Sequence, residues 1–118
     1  MAESIEIVIT TASTIGIPIT GAVTVARGIM SNIHMYFAQG VQGSNLARIF
    51  KGADQLFPRT SGTSFRLVNP PIQVYDEEPL VDASTEITLK GWASGALNPH
   101  RLVLNFDVIP FDRPELII

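Results

Sequence analysis

Arg101-Leu-Val-Leu-Asn-Phe-Asp-Val-Ile109 is the stretch whose reading decides the fold. Leu102, Leu104, Phe106 and Val108 share one parity; Arg101, Val103, Asn105 and Asp107 share the other. Successive side chains of a strand point to opposite faces, so the stretch has one apolar face and one mostly polar face. It is the clearest period-two signal in the chain. Pro110 ends it, because proline has no N–H to give a ladder. Upstream, Thr85 to Trp92 repeats the pattern, with Ile87 and Leu89 inward and Glu86, Thr88 and Lys90 outward. Ala93-Ser-Gly-Ala-Leu-Asn-Pro-His100, between the two, reads as a loop from its Gly, Asn and Pro content. The spacing predicts a long-looped hairpin over 85–109 that seeds an antiparallel sheet.

The same period recurs outward from this hairpin. Ile5, Ile7 and Ile9 alternate with Glu6, Val8 and Thr10, which predicts a strand over Ser4–Thr10. Ile15, Ile17 and Ile19 alternate around Gly16 and Pro18, and Pro18 places that piece at a sheet edge or a kink. Val23 and Val25 continue it after Gly21. Gly28 opens a run over Ile29–Ala38, with Ile29, Ile33, Met35 and Phe37 on one parity and Met30, Asn32, His34 and Tyr36 on the other. Its β-branched and aromatic residues and bounding glycines favour strand over helix. Gly40–Asn45 reads as a turn and Leu46–Lys51 as a short strand of ambiguous facing. Residues 52–63 read as irregular, with an exposed loop over Phe57–Gly62. Ser64–Val68 and Ile72–Val74 are short strands on either side of Asn69-Pro-Pro71. Seven to nine short strands without a helix predict an all-β antiparallel sandwich, either a jelly roll or another Greek-key arrangement. It forms one domain over 1–118, with 110–118 as a C-terminal arm.

Composition narrows the class. The chain has 118 residues, enough for one domain, and no cysteine, which excludes disulfides, thiolate catalysis and cysteine-ligated zinc. The net charge of −3 is too mild to imply a nucleic-acid partner. Charged residues make up 16%, against about 25% in ordinary soluble domains. Either this is a serine- and threonine-rich β protein, or neighbouring subunits cover much of its surface, since interface centres are depleted in charge. Ile7 to Ala26 lacks charge over a membrane-length span, but six hydroxyl residues, Gly16, Pro18 and Gly21 punctuate it as short strands, not a spanning helix. Glu3 and Glu6 precede it without Lys or Arg, which argues against a secretory signal. The expectation is a protein made in the cytoplasm, with no membrane partner.

The chemistry-bearing residues point to contact, not turnover. His34 and His100 are the two histidines, and no HExxH, GxSxG or phosphate-binding glycine loop occurs. We therefore expect no enzyme, no catalytic residue, no metal and no cofactor. Asp76, Glu77, Glu78, Asp82 and Glu86 form one acidic cluster, either a calcium-binding group or a solvated turn guarding a strand edge. Arg27, Arg48, Lys51, Arg59 and Arg66 make the middle of the chain basic. If basic and acidic stretches map to opposite flanks, copies can meet head to tail. Trp92, Tyr36 and Tyr75 sit on outward parity, where they can stack on a sugar or anchor a protein contact; alternatively, strand twist buries Trp92. Leu116-Ile117-Ile118 ends the chain in apolar residues that need a groove or a partner. The candidate contact residues are Trp92, Phe111, Leu116, Ile117, Ile118, Arg48, Arg59, Arg66, Asp76, Glu77 and Glu78.

In strand layout, loop-rich middle and low charge, the chain resembles the small single jelly-roll proteins of viral and phage particles, the capsid-decorating, vertex and tail-accessory subunits. The resemblance covers Ile5 to Val108 and is one of layout; its nearest signature is Glu86-Ile-Thr-Leu-Lys-Gly-Trp92 with His100-Arg-Leu-Val-Leu-Asn-Phe-Asp-Val108. It implies a homo-oligomer located in the virion, touching other shell or tail proteins and needing no cofactor. No functional residue carries over. The alternative is a carbohydrate-binding sandwich that uses the exposed aromatics.

Overall fold

The computed structural model describes residues 2–10, 13–37, 42–68, 72–93 and 100–110. Its strands are β1 (Ala2–Ile9), β2 (Ile19–Phe37), β3 (Gln42–Lys51), β4 (Asp54–Phe57), β5 (Phe65–Val68), β6 (Ile72–Val74), β7 (Glu78–Ala93) and β8 (His100–Ile109). They form one antiparallel sheet in the order β1-β8-β2-β7-β3-β4, with β5 on β3 and β6 on β2. Among the described residues there is no helix. The all-β antiparallel class expected from the periodicity holds.

β2 organises the sheet because its two halves take different partners. Ile19 to Met30 pairs with β7. Ile29 to Phe37 pairs with β8 on one side, and Ile33 to Met35 with β6 on the other. Two groups, β1-β8-β2-β6 and β2-β7-β3-β4, thus share β2. Where the halves meet, Arg27 alone stands opposite Val81, Asp82 and Ala83, between the pairs Ala26–Ser84 and Gly28–Leu80. Such an insertion bends a strand and sharpens its twist. A second irregularity follows at Asn32 and Ile33, which together face Phe106 between the pairs Ser31–Asp107 and His34–Asn105. Asn32 adopts a φ of 50° there, a conformation that asparagine tolerates better than most side chains.

The two groups face each other. A Cβ on Gly21 would stand 2.7 Å from Ile7 Cγ2 and 2.8 Å from Ile5 Cγ2. One on Gly91 would stand 2.8 Å from Ile9 Cδ1 and 3.1 Å from Ile7 Cδ1. β1 is hydrogen-bonded to neither β2 nor β7, so these contacts cross from one group to the other. The sheet therefore folds over on itself, and the missing side chains at Gly21 and Gly91 let the β1 isoleucines settle into it. Ile5, Ile7 and Ile9, Ile33 and Met35, Ala47 and Ile49, Ile87 and Leu89, and Leu102 to Val108 on alternate positions fill the space between. Each of the larger side chains, Ala47 excepted, contributes roughly 1.5–3 kcal/mol relative to exposure.

Several local expectations change. β7 and β8 do not pair as a hairpin, because β2 lies between them. The run from Ile19 does not break at Gly28 but continues as one strand. Met30, expected on the parity of His34, is fully buried, because the two irregularities shift the inward phase from Val25 to Met30 and back to Ile33. Ile15 and Ile17 belong to a tight turn closed by Thr14 and Ile17, not to a strand. Gln42 to Asn45 is strand instead of turn. Asn45, Ala47 and Ile49 resolve the facing of β3 inward. Phe57, expected in an exposed loop, ends β4 and is 1% exposed.

Candidate interaction surfaces

Two cations of the basic middle, Lys51 and Arg59, meet Asp76 and Glu78 of the acidic stretch within the chain. Arg59 donates from Nε to Asp76 Oδ2 at 2.8 Å, from Nη1 to Glu78 Oε1 at 2.8 Å and from Nη2 to the Glu77 carbonyl at 3.0 Å. Its guanidinium lies 4.4 Å from the centre of the Phe57 ring. Lys51 donates to the other Glu78 oxygen at 3.0 Å. The rigid fork of an arginine suits such multiple engagement. Hydrogen bonding to Arg59 holds the Asp76 carboxyl below its usual range. Burial pushes the Glu78 carboxyl up, but the bonds from Arg59 and Lys51 outweigh it, leaving the group below its ordinary value. The bond to Glu78 raises Arg59 in turn. Arg59, Asp76 and Glu78, three of the candidate contact residues, thus pair with one another within the chain. No cluster of three or more potential metal ligands occurs among the described residues.

Arg48 and Trp92 are likewise turned to the protein's own use. Register places Leu46 opposite Trp92 and Arg48 opposite Lys90 on β3 and β7. Arg48 reaches over Trp92, 5.2 Å from the ring centre, and donates to Ser64 Oγ at 2.9 Å and the Gly62 carbonyl at 2.8 Å. Trp92 does lie on the face opposite Ile87 and Leu89, yet it is only 6% exposed. It is covered, not presented to a ligand. Lys90 covers Phe50 in the same way at 4.4 Å. Arg66 is exposed on β5. Phe111, Leu116, Ile117 and Ile118 lie outside the described residues.

Two of the surfaces that the described residues leave exposed carry distinctive side chains. The first is the turn between β1 and β2. The Thr14 and Ile17 backbones exchange hydrogen bonds at 3.2 and 3.0 Å, and Ile17 N–H also donates to Thr14 Oγ1. Ser13 Oγ donates to the Thr10 carbonyl at 2.6 Å and accepts from the Ala93 N–H at 3.0 Å, fastening the turn to the end of β7. This rigid frame presents Ile15, 61% exposed, and Ile17, 76% exposed.

The second is the outer face of β1-β8-β2-β6. Register aligns Ser4 with Asn105, Asn105 with His34, and His34 with Gln73. At the Asn32 irregularity this row borders a hollow of about 390 Å³ lined by Ala2, Glu3, Ser4, Asn32, His34, Asn105, Phe106 and Asp107. Outward parity was legible for His34 and Asn105; their alignment across strands was not. A search of protein-family models finds no match to this chain, and neither does a search of curated proteins.

Proposed function

We propose that the protein is a structural assembly subunit of the kind built into viral and phage particles, acting through protein–protein contacts and not through turnover. The observation that carries this reading is the Ile15–Ile17 turn. Single exposed apolar residues are ordinary on protein surfaces. Two exposed isoleucines on one turn closed by its own hydrogen bonds differ, because less ordering entropy remains to be lost there when a partner covers them. No charged residue occurs in the sequence from Ile7 to Ala26 that includes them.

Strand order supports the architectural half of the reading. The orders β1-β8-β2-β6 and β2-β7-β3-β4, sharing β2, are compatible with the jelly roll we propose. Jelly rolls serve capsid and lectin domains alike, so the turn, not the fold, selects assembly. Electron microscopy of the concentrated full chain tests the proposal. Ordered homo-oligomers with residues 14–17 at the subunit contact are expected; a uniform field of single molecules would refute it.

A further inference from the structure

We infer that the outer face of β1-β8-β2-β6 is a binding site for a neutral saccharide. The proposal does not rest on the assembly reading and uses a different surface.

Sugars are recognised by side chains offering paired donors and acceptors, with aromatic faces beside them for the C–H surfaces of the ring. The row Ser4, Asn105, His34 and Gln73 supplies hydroxyl, amide and imidazole groups in register across four adjacent strands. Strands lie about 4.8 Å apart, so the row runs for roughly 14 Å. Asn and Gln each carry two donors and an acceptor, and a neutral His one of each, so hydroxyls of either polarity are matched.

Exposed tyrosines stand on both sides of this row. Tyr36 lies two residues beyond His34 on the same parity of β2 and is 37% exposed. Tyr75 follows β6 on the other side, 86% exposed, with its hydroxyl 3.3 Å from Gln73 Oε1. A tyrosine left this open has an unused ring face and a polar tip.

The hollow runs alongside the row and borders the Asn32 irregularity, and such bulges recur beside functional sites. Asn32 Nδ2 donates to Asp107 Oδ2 at 2.8 Å, which orients that carboxylate toward the hollow's rim. The hollow is a half-open depression of about 390 Å³. Charge selects the ligand class. The ionisable groups lining the hollow are Glu3, Asp107 and His34, and no Lys or Arg joins them. Arg101, two same-face positions away from Asn105 on β8, is paired with Glu6 at 3.2 Å. A nucleic acid, a phosphate or an acidic sugar would meet two carboxylates here; a neutral sugar meets acceptors for its hydroxyls.

The test is ligand-observed NMR of the full chain against free neutral oligosaccharides built from glucose, galactose, mannose and N-acetylglucosamine, at up to millimolar concentration, with sialylated oligosaccharides as the charged comparison. Saturation transfer to at least one neutral oligosaccharide is expected. Tyr75→Ala and Asn105→Ala should each weaken it about tenfold, with melting temperatures within a few degrees of the parent. Transfer to none of the sugars, preference for the sialylated ones, or binding indifferent to both substitutions would overturn the inference. So would a change of oligomeric mass on Tyr36→Ala or Tyr75→Ala, which would make this face a subunit contact.

Discussion

Arg59 Nη1 donates to Glu78 Oε1 at 2.8 Å across a sequence separation of 19 residues, fastening the segment after β4 to the first residue of β7. The same guanidinium holds Asp76, so one side chain fixes the approach to β7.

Replacing Arg59 with Met should lower the melting temperature at neutral pH by a few degrees. Asp76 and Glu78 have folded-state pKa values below their ordinary ones. Their stabilisation is therefore complete above the ordinary carboxylate range, about pH 4–4.5, and is lost as pH falls through the folded values. Melting curves of parent and variant should converge in acid, once the pH lies below the folded values of both carboxyls. Identical melting temperatures at neutral pH, or a difference that persists in acid, would show that the fork does not contribute in this way.

Gly28 and Gly91 separate a backbone collision from a yielding one. A Cβ at Gly28 would meet the Ile109 carbonyl oxygen at 2.6 Å, whereas at Gly91 it would meet the Ile9 Cδ1 and Ile7 Cδ1 methyls. Methyl ends can shift; a paired carbonyl cannot without moving β8. Gly28→Ala should cost about 3 kcal/mol and Gly91→Ala about 1 kcal/mol in urea unfolding. The reverse order would contradict the packing of β8 on β2.

Asn32 should prefer glycine to alanine as a replacement. Both substitutions remove the 2.8 Å bond to Asp107, but only alanine retains a Cβ at a φ of 50°. Asn32→Ala should therefore be less stable than Asn32→Gly by about 1 kcal/mol. Equal stability would mean that the backbone relaxes out of this conformation.

What the sequence made legible was the parity of single strands. Leu102 to Val108 and Ile5 to Ile9 are inward as their alternation predicts, because neither β8 nor β1 is interrupted along its pairing. β2 was harder to read, since Arg27 and Asn32 each shift the phase and no local pattern marks a residue that faces three others. The expected hairpin failed for a related reason: alternation reports which face is buried, not which strand lies alongside. Charge signs were legible in Arg59, Asp76 and Glu78, but not that these residues answer one another inside the chain. Trp92 was outward by parity, yet the cation that covers it comes from β3, where Arg48 gives no sequence hint of its target. The row from Ser4 to Gln73 needs four registers at once, and so emerges only from the folded sheet.

Assembly through the Ile15–Ile17 turn is tested most directly by sedimentation equilibrium of the full chain over a range of concentrations, beside an Ile15→Asp, Ile17→Asp double variant. Both side chains are exposed in the single chain, so the variant should still fold cooperatively. The account predicts a parent mass that is a multiple of the 12.8 kDa chain and a variant that sediments as the single chain. A parent that stays at the single-chain mass at every concentration, or a variant that associates as the parent does, would contradict it.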